Sequence, residues 1–279
     1  MSIVDERQRY LQGLEAWRDR LDKSLRAEQG WLSLVGLHWL RAGVNSLGGA
    51  AENDMIVSGG PDHIGVVELG SQGVIFQAAE GIAATVDGQP ATQVLMQPDT
   101  SDEPTRLTVG NLTMVVIQRG GRFGLRIWDR HAQARQAFPG RQWFAIDPDY
   151  RLEGRFVPYD PPRRLVVADV TGGTQETASP GEVVFAVWGE AGRLVASSGD
   201  EDGLFLIFAD ATNGSTTYPA GRYLVTSAPE EGVVEIDFNR AYNPPCAFTP
   251  YATCPLPLPG NRLALAIEAG ERDVLSSAR

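Results

Sequence analysis

The sequence predicts a mainly β protein in which two packed β-sandwich or barrel-like units follow an N-terminal amphipathic helix. After Gly43, short apolar runs separated by turn residues recur at a spacing of roughly ten residues, as in β-sandwiches and barrels. The chain of 279 residues holds 31 glycines and 18 prolines, which exceeds ordinary globular usage, and it has no collagen-like period. A helical repeat of apolar residues is clear only near the start of the chain.

The N-terminal segment, residues 1–42, is predicted to begin with a helix. Gly30 is expected to end this helix, because glycine readily adopts the left-handed conformation that often follows a helix. The apolar run Trp31–Leu40 that follows is compatible with a short helix or a buried strand, and its periodicity does not decide between them. The apolar residues that recur at steps of three and four are Leu11, Leu14, Trp17, Leu21 and Leu25.

Strand and turn patterns dominate from Gly43 onward. The pair Asp87-Gly88 predicts a tight hairpin turn, since both residues tolerate a positive φ. The proline-rich stretch Tyr159–Pro162 is the best candidate boundary between a first β unit at 43–158 and a second at 159–279. The predicted strands are Asn45–Leu47, Met55–Val57, Ile64–Leu69, Val74–Ala78, Ala84–Val86, Ala91–Met96, Thr105–Val109, Leu112–Gln118, Phe123–Trp128, Arg151–Val157, Arg164–Asp169, Val183–Val187, Arg193–Ser197, Leu204–Ala209, Tyr223–Thr226, Val233–Phe238 and Leu263–Glu268.

The charge of the chain argues against binding to polyanions. Its 24 basic and 35 acidic residues give a formal net charge of −11, which repels nucleic acid and anionic lipid. No apolar stretch approaches the length of a membrane-spanning helix, and residues 1–7 lack the basic and then apolar pattern of a secretory signal. We therefore expect a soluble, cytoplasmic protein with no nucleic-acid partner and no membrane partner.

No sequence motif identifies a cofactor or a reaction. The chain lacks the serine-hydrolase elbow, the phosphate-binding loop and the dinucleotide fingerprint. Those absences argue against a serine hydrolase, a nucleotide-dependent enzyme and a Rossmann oxidoreductase. The three histidines, His38, His63 and His131, are too scattered in sequence to predict a metal site. We predict neither a cofactor nor a metal.

Cys246 and Cys254 are the only cysteines, and they lie in a proline-rich loop. Two cysteines cannot complete a four-ligand zinc site, and a reducing cytosol disfavours a stable disulfide. A reactive thiol would need a base or cation nearby to lower its pKa, such as Arg222, Arg240 or His63. The main alternatives are that both cysteines are small buried apolar residues, or that one is the catalytic nucleophile of a cysteine-dependent hydrolase.

Residues 43–129 resemble a forkhead-associated (FHA) β-sandwich in the order of their turn and strand motifs. The arginine and serine that grip the phosphate of phosphothreonine in such domains are replaced here by Gly49 and Gly60. The resemblance therefore implies the fold of the first β unit without its phosphopeptide binding. The matching positions are Gly43, Leu47-Gly48-Gly49, Asn53-Asp54-Met55-Ile56, Gly60-Pro61-Asp62-His63, Asp87-Gly88 and Leu107-Thr108-Val109-Gly110.

Longer and more specific motifs lie in the C-terminal third of the chain. They run through Leu204–Gly214, Thr217–Leu224, Asp237–Phe248 and Thr253–Pro257, and they end with Asn261-Arg262-Leu263 and Ala269-Gly270-Glu271. Together with Gly30–Leu37, they resemble the prokaryotic family called domain of unknown function 1684 (DUF1684) across most of residues 10–272. The resemblance implies kinship and no established reaction, substrate or cofactor.

The same motifs supply polar residues that we expect to meet where adjacent strands of an antiparallel sheet end. An arginine, a tyrosine and several amides at such a rim would suit a small anionic or polyhydroxylated ligand. Alternatively, the Asn and Asp side chains satisfy the backbone of long loops, and Arg222 pairs with Asp210 or Asp237. The candidate ligand-binding residues are Asp210, Asn213, Tyr218, Arg222, Asn239, Tyr242, Asn243 and Asn261.

These observations leave more than one class of function open. The leading hypothesis is a protein that binds a small anionic or polar ligand, or an enzyme of undetermined reaction, with its site around Arg222, Tyr218 and residues 239–254. The alternative is a protein-interaction or structural module, in which Trp31–Leu40 and the first β unit form the subunit interface of a homo-oligomer. A cysteine-dependent hydrolase is the third hypothesis.

Overall fold

The protein consists mainly of β-strands, as a computed structural model shows for residues 3–199 and 203–273. These residues form one long helix near the start, one short helix, and strands that belong to three sheets. The predicted fold class, mainly β with an N-terminal amphipathic helix, is confirmed. The prediction that residues 1–7 are not a secretory signal falls partly outside the described residues.

The helices are α1 (Ile3–Leu25) and α2 (Gln133–Ala137). The strands of the first half of the chain are β1 (Leu34–Trp39), β2 (Gly43–Gly48), β3 (Met55–Ile56), β4 (Gly65–Gly70), β5 (Gly73–Ala78), β6 (Ala84–Val86), β7 (Gln89–Pro90), β8 (Gln93–Met96), β9 (Leu107–Val109), β10 (Leu112–Arg119) and β11 (Arg122–Asp129). Those of the second half are β12 (Arg151–Ala168), β13 (Thr174–Val187), β14 (Glu190–Ser198), β15 (Leu204–Phe208), β16 (Arg222–Val225) and β17 (Val233–Asp237).

One compact unit, which we call the sandwich unit, comprises residues 23–138 and 249–252. It contains a five-stranded sheet in the order β3-β2-β4-β5-β8 and a six-stranded sheet in the order β1-β11-β10-β9-β6-β7. Buried residues of both sheets, such as Phe76 on β5 and Leu125 on β11, belong to one apolar core. The two sheets therefore pack face to face as a β-sandwich.

The other compact unit, which we call the sheet unit, comprises residues 3–22, 139–199, 203–248 and 253–273 of the described chain. Its antiparallel sheet has the strand order β16-β15-β14-β13-β12-β17. Phe208 on β15 and Ile267, in the C-terminal segment at residues 263–273, belong to its apolar core. Leu14 of α1 is also fully buried. This unit carries every residue that the sequence predicted for a site.

The structure resolves two predictions near the start of the chain. The run Trp31–Leu40 contains a 3₁₀ turn at Trp31–Ser33 followed by strand β1. The prediction that Gly30 ends the helix is wrong, because α1 ends at Leu25 and Gly30 has an extended φ of −78°. A Cβ at Gly30 would lie 2.4 Å from the Ser24 carbonyl oxygen and 2.5 Å from that of Leu25. Glycine is needed there because two carbonyl groups approach the backbone closely.

The hairpin predicted at Asp87-Gly88 is confirmed. Both residues have positive φ, 50° and 77°, and they join β6 to β7. The strand predicted at Leu263–Glu268 is wrong, because this stretch belongs to no sheet among the described residues. No helix in the described ranges has the length and apolar character needed to cross a membrane.

The boundary between the two units also differs from the sequence-based expectation. The stretch Tyr159–Pro162 lies inside strand β12, whose pairing with β13 changes register between Pro158 and Arg163. Proline has no N–H to donate to a strand ladder, so these prolines interrupt the pairing of a long strand instead of separating two units. The chain passes between the units after Asp22, Phe138, Phe248 and Ala252.

Candidate functional site

Arg222, which the sequence placed at the centre of a ligand rim, is fully buried at the start of β16. Its Nη2 atom donates to Asp210 Oδ2 at 2.7 Å and to the Ile267 carbonyl at 2.8 Å. Its Nη1 atom donates to the Ala269 carbonyl. The sequence left open that Arg222 pairs with Asp210 instead of binding a ligand, and the structure contains this ion pair. Both terminal nitrogens of the guanidinium group donate to protein acceptors.

All four predicted asparagines also bind backbone groups, and Asn243 does so by donating from Nδ2 to the Arg272 carbonyl at 2.8 Å. Asn261 is buried and accepts a hydrogen bond from an N–H of β14 at 2.8 Å, and its Nδ2 donates to a carbonyl of β15 at 2.9 Å. Asn239 donates to the Asp147 carbonyl at 2.8 Å, and Asn213 donates to the Tyr218 carbonyl at 2.5 Å. These side-chain amides satisfy backbone N–H and carbonyl groups that strand pairing leaves without a partner.

Glu271 and the polar residues near it form a second group, which we call the Glu271 cluster: Arg18, Asp22, Arg141, Asn243 and Glu271. Arg18 belongs to it because its guanidinium interacts electrostatically with Glu271. Glu271 Oε2 accepts hydrogen bonds from Arg141 Nη1 at 2.6 Å and from the Asn243 backbone N–H at 2.7 Å. Arg141 Nε lies 3.4 Å from Asp22 Oδ1, an ion pair that lacks hydrogen-bond geometry. Two acids and a cation from three distant parts of the chain therefore meet here.

The local fold explains how these side chains come together. Arg18 and Asp22 lie four residues apart on α1, so they share the helix face that also carries the buried Leu14. Gly270 has a φ of 79°, and a Cβ there would come within 2.5 Å of a carbonyl oxygen. Glycine therefore allows the chain to turn tightly just before Glu271.

Burial dominates the electrostatics of Glu271. Its side chain is fully inaccessible to solvent, and this desolvation raises its pKa to about 7, although Arg141 and the Asn243 N–H oppose the shift. Glu271 Oε1 and Asn243 Oδ1 are both buried and have no hydrogen-bond partner among the residues that the structure describes. A carboxyl group in this environment can gain or lose a proton near neutral pH.

Aromatic rings line the cluster on the side of α1. The Arg18 guanidinium stacks over Trp143 at 4.4 Å from the ring centroid, and burial lowers its pKa. Its Nε and Nη2 atoms are buried and have no hydrogen-bond partner within the described ranges. Trp17 makes edge-on contacts with Trp143 at 5.6 Å and with Tyr242, a predicted ligand residue, at 6.2 Å.

The two cysteines form a separate pair. Cys246 lies on the 3₁₀ turn Pro245–Ala247 and is half-buried, whereas Cys254 is buried. The Cys246 backbone N–H donates to Cys254 Sγ at 3.2 Å. The hydroxyl group of Tyr218, another predicted ligand residue, donates to the Cys246 carbonyl at 2.9 Å. Both cysteines are free thiols.

The structure thus brings Tyr242 and Asn243 to the Glu271 cluster and Tyr218 to the cysteine pair. Sequence reasoning missed Arg18, Asp22, Arg141 and Glu271 as site residues. Two signals were available, because Glu271 ends a family motif and the two α1 residues lie on the apolar face of the helix. In the described part of the chain, His, Cys, Asp and Glu side chains form no group of three or more that could hold a metal ion.

The part of the chain that matches a known protein family includes most of the Glu271 cluster and both cysteines. The profile of a family described as protein of unknown function (DUF1684) matches residues 136–272, which include Arg141, Asn243, both cysteines and Glu271. The solution NMR structure of an uncharacterized protein from Haloarcula marismortui shares 32% sequence identity with the chain. That match covers 50% of this chain and 80% of the other, with a TM-score of 0.43. The comparison with curated proteins found no match.

Proposed function

The chain belongs to the DUF1684 family of proteins of unknown function, and on that premise we propose that it binds a small hydroxylated anion at the Glu271 cluster. The family supplies no reaction, so the proposal rests on the chemistry of the cluster. A site of this kind agrees with the sequence-based expectation of a small anionic or polar ligand. It uses Asn243 and Tyr242 from the predicted set and adds the acid and the arginines described above.

The observation that carries the proposal is the set of buried polar atoms that lack partners. Glu271 Oε1 and Asn243 Oδ1 are acceptors, and Arg18 Nε and Nη2 are donors, all without a hydrogen bond among the described residues. Leaving such a group unpaired costs about 1–3 kcal/mol, so a native protein seldom leaves several together. A ligand that pairs with them would remove this cost.

The types of these atoms indicate the chemistry of the ligand. A hydroxyl group can donate to Glu271 Oε1 or Asn243 Oδ1, while a carboxylate or phosphate oxygen can accept from the Arg18 guanidinium. The Asp22 side chain is 33% exposed, so the cluster reaches the surface beside α1. Glu271 could also transfer a proton to or from a bound ligand, because its pKa of about 7 lies near neutral pH.

Two further expectations from the sequence concern the fold of the sandwich unit and the location of the protein in the cell. We infer an FHA-like fold for the sandwich unit without phosphopeptide binding. A Cβ at Gly49 would lie 2.6 Å from the Gly60 carbonyl oxygen, so the arginine of such domains would not fit at this position.

We infer a cytoplasmic location because both cysteines are free thiols, as is usual in reducing compartments.

Native mass spectrometry of freshly purified protein tests the proposal. We expect an additional mass that denaturation removes, and we expect Glu271→Gln to weaken its binding about tenfold or more, as loss of a hydrogen bond to a charged group does. Glu176→Gln is the matched control, because Glu176 pairs with Arg164 at the surface and its side chain is 60% exposed.

Two outcomes would contradict this function. In the first, the bound mass remains undiminished in Glu271→Gln. In the second, the wild-type protein purifies without a ligand, and no sugar acid or hydroxy acid raises its melting temperature.

A further inference from the structure

The cysteine pair has a geometry that the ligand site does not use. The Cys246 N–H donates to Cys254 Sγ at 3.2 Å. Only the Cα and Cβ atoms separate the Cys246 sulfur from that nitrogen, so the two sulfurs lie close enough to interact. Each thiol also shifts the pKa of the other, as neighbouring titratable groups do. The proline-rich loop therefore holds two free thiols against each other.

The two thiols differ in acidity and in access. The interaction with the Cys254 side chain lowers the pKa of Cys246, since it favours the thiolate form. The same contact, together with burial, raises the pKa of Cys254. Cys246 is half-buried, whereas Cys254 is only 5% exposed. A small reagent can therefore reach the more acidic thiol first, which is the arrangement of an attacking and a resolving cysteine.

The surroundings of the pair favour redox chemistry over hydrolysis. The Tyr218 hydroxyl donates to the Cys246 carbonyl, and the Tyr223 hydroxyl donates to the Pro255 carbonyl at 3.1 Å. Burial raises the pKa of both phenols, so they remain neutral. No hydrogen bond among the described residues joins either sulfur to an imidazole or a carboxylate, the groups that activate water in cysteine hydrolases.

We propose that Cys246 and Cys254 form a dithiol that low-molecular-weight disulfides oxidise reversibly. The Cys246 thiolate attacks one sulfur of the disulfide, so a mixed disulfide forms and one small thiolate leaves. The Cys254 thiol loses its proton to that leaving thiolate and attacks the Cys246 sulfur. The second small thiolate leaves and takes up the proton that Cys246 released. The protein loses two electrons and two protons, and one disulfide becomes two thiols.

Oxidised glutathione is a suitable probe for the intact protein. After incubation, acid stops the exchange, N-ethylmaleimide blocks the remaining thiols, and the intact mass reports the products. We expect the wild type to convert to a form that carries neither maleimide nor glutathione, and reduced glutathione should restore the dithiol. In Cys254→Ser, the reaction should stop at a glutathione adduct on Cys246. Cys246→Ser should react about tenfold or more slowly, because its remaining thiol is buried and less acidic.

Two results would overturn this proposal. One is a wild-type protein that accumulates the glutathione adduct without forming the internal disulfide. The other is a Cys246→Ser variant that reacts as fast as Cys254→Ser. Circular dichroism checks that each variant is folded, and Cys254→Ala replaces Cys254→Ser if the hydroxyl disrupts the buried position. Neither result depends on the ligand at the Glu271 cluster.

Discussion

A carboxylate that the protein encloses loses the hydration that stabilises its charge, and only specific partners can compensate for that loss. At Glu271, Arg141 and the Asn243 N–H both bind the same oxygen, Oε2. Their contribution is smaller than the effect of burial, since the pKa remains raised at about 7. At neutral pH the group is therefore near half-protonation, and its Oε1 atom is able to donate or accept a hydrogen bond.

We expect Glu271 to make the protein less stable as the pH rises from about 5 to about 8, by up to about 3 kcal/mol. Between its ordinary pKa of 4.5 and the folded value of about 7, Glu271 binds more protons in the folded than in the unfolded state. Its stabilising contribution is thus complete below 4.5 and is lost as the pH rises through 7. Urea unfolding of the wild type and of Glu271→Gln at several pH values measures the effect.

In that experiment the Gln side chain imitates the protonated acid, so the stability of the variant relative to the wild type should increase with pH. Glu176→Gln, an exposed position, should follow the wild-type curve throughout. Parallel curves for the wild type and Glu271→Gln would show that Glu271 ionises in the folded protein as it does in the unfolded chain.

At the scale of single elements, features encoded by neighbouring residues were predictable. The repeat of apolar residues predicts α1, and Asp87-Gly88 predicts the β6–β7 hairpin, because both signals depend on local backbone preferences. The segment Leu263–Glu268 shows why others were not. Leu263, Leu265 and Ile267 alternate inward and pack on the core, as in a strand. The backbone of this stretch bonds to that of residues 209–211, just beyond the end of β15, but it joins no sheet among the described residues.

Two glycines of the N-terminal region should respond in opposite directions to the same substitution. Gly13→Ala should stabilise the protein by about 0.5–1 kcal/mol, because Gly13 is exposed within α1 and a Cβ there would meet nothing within 4 Å. Gly30→Ala should destabilise it by about 1–3 kcal/mol, because the new Cβ would collide with two backbone carbonyls. Thermal and urea unfolding of both variants measure the two effects, and a shared sign would contradict this account.

Considered as a whole, the chain uses its polar motifs in two ways, and the sequence does not separate them. Arg222 and Asn261 bind backbone groups, whereas Asn243, which also binds a backbone carbonyl, belongs to the Glu271 cluster, and Tyr242 contacts Trp17 beside it. Arginine, asparagine and tyrosine can each bind either backbone groups or a ligand, so their identity does not decide between these roles. The acid and arginines of the cluster come from α1, from residue 141 and from the end of the described chain, so only the tertiary fold brings them together.

The C-terminal segment is held by side chains as well as by backbone hydrogen bonds, such as the one from the Glu271 N–H to the Ala241 carbonyl. Asp210 Oδ1 accepts a hydrogen bond from the Ile267 N–H at 3.3 Å, and the Tyr150 hydroxyl accepts one from the Glu268 N–H at 3.1 Å. Arg222 donates to the carbonyls of Ile267 and Ala269. This buried arginine therefore joins β16 and the loop that carries Asp210 to the segment that carries Glu271.

Arg222→Ala should destabilise the protein by about 3–5 kcal/mol, because it leaves the Asp210 carboxylate buried without its cation and the carbonyls of Ile267 and Ala269 without their donor. Arg164→Ala is the matched control, since Arg164 is 85% exposed and its pair with Glu176 should contribute less than about 1 kcal/mol. Urea unfolding measures both variants. If Arg222→Ala does not fold, Asp210→Asn keeps a hydrogen-bonding group opposite the guanidinium and should show a smaller loss. An Arg222→Ala protein as stable as the Arg164→Ala control would mean that other contacts hold the C-terminal segment in place.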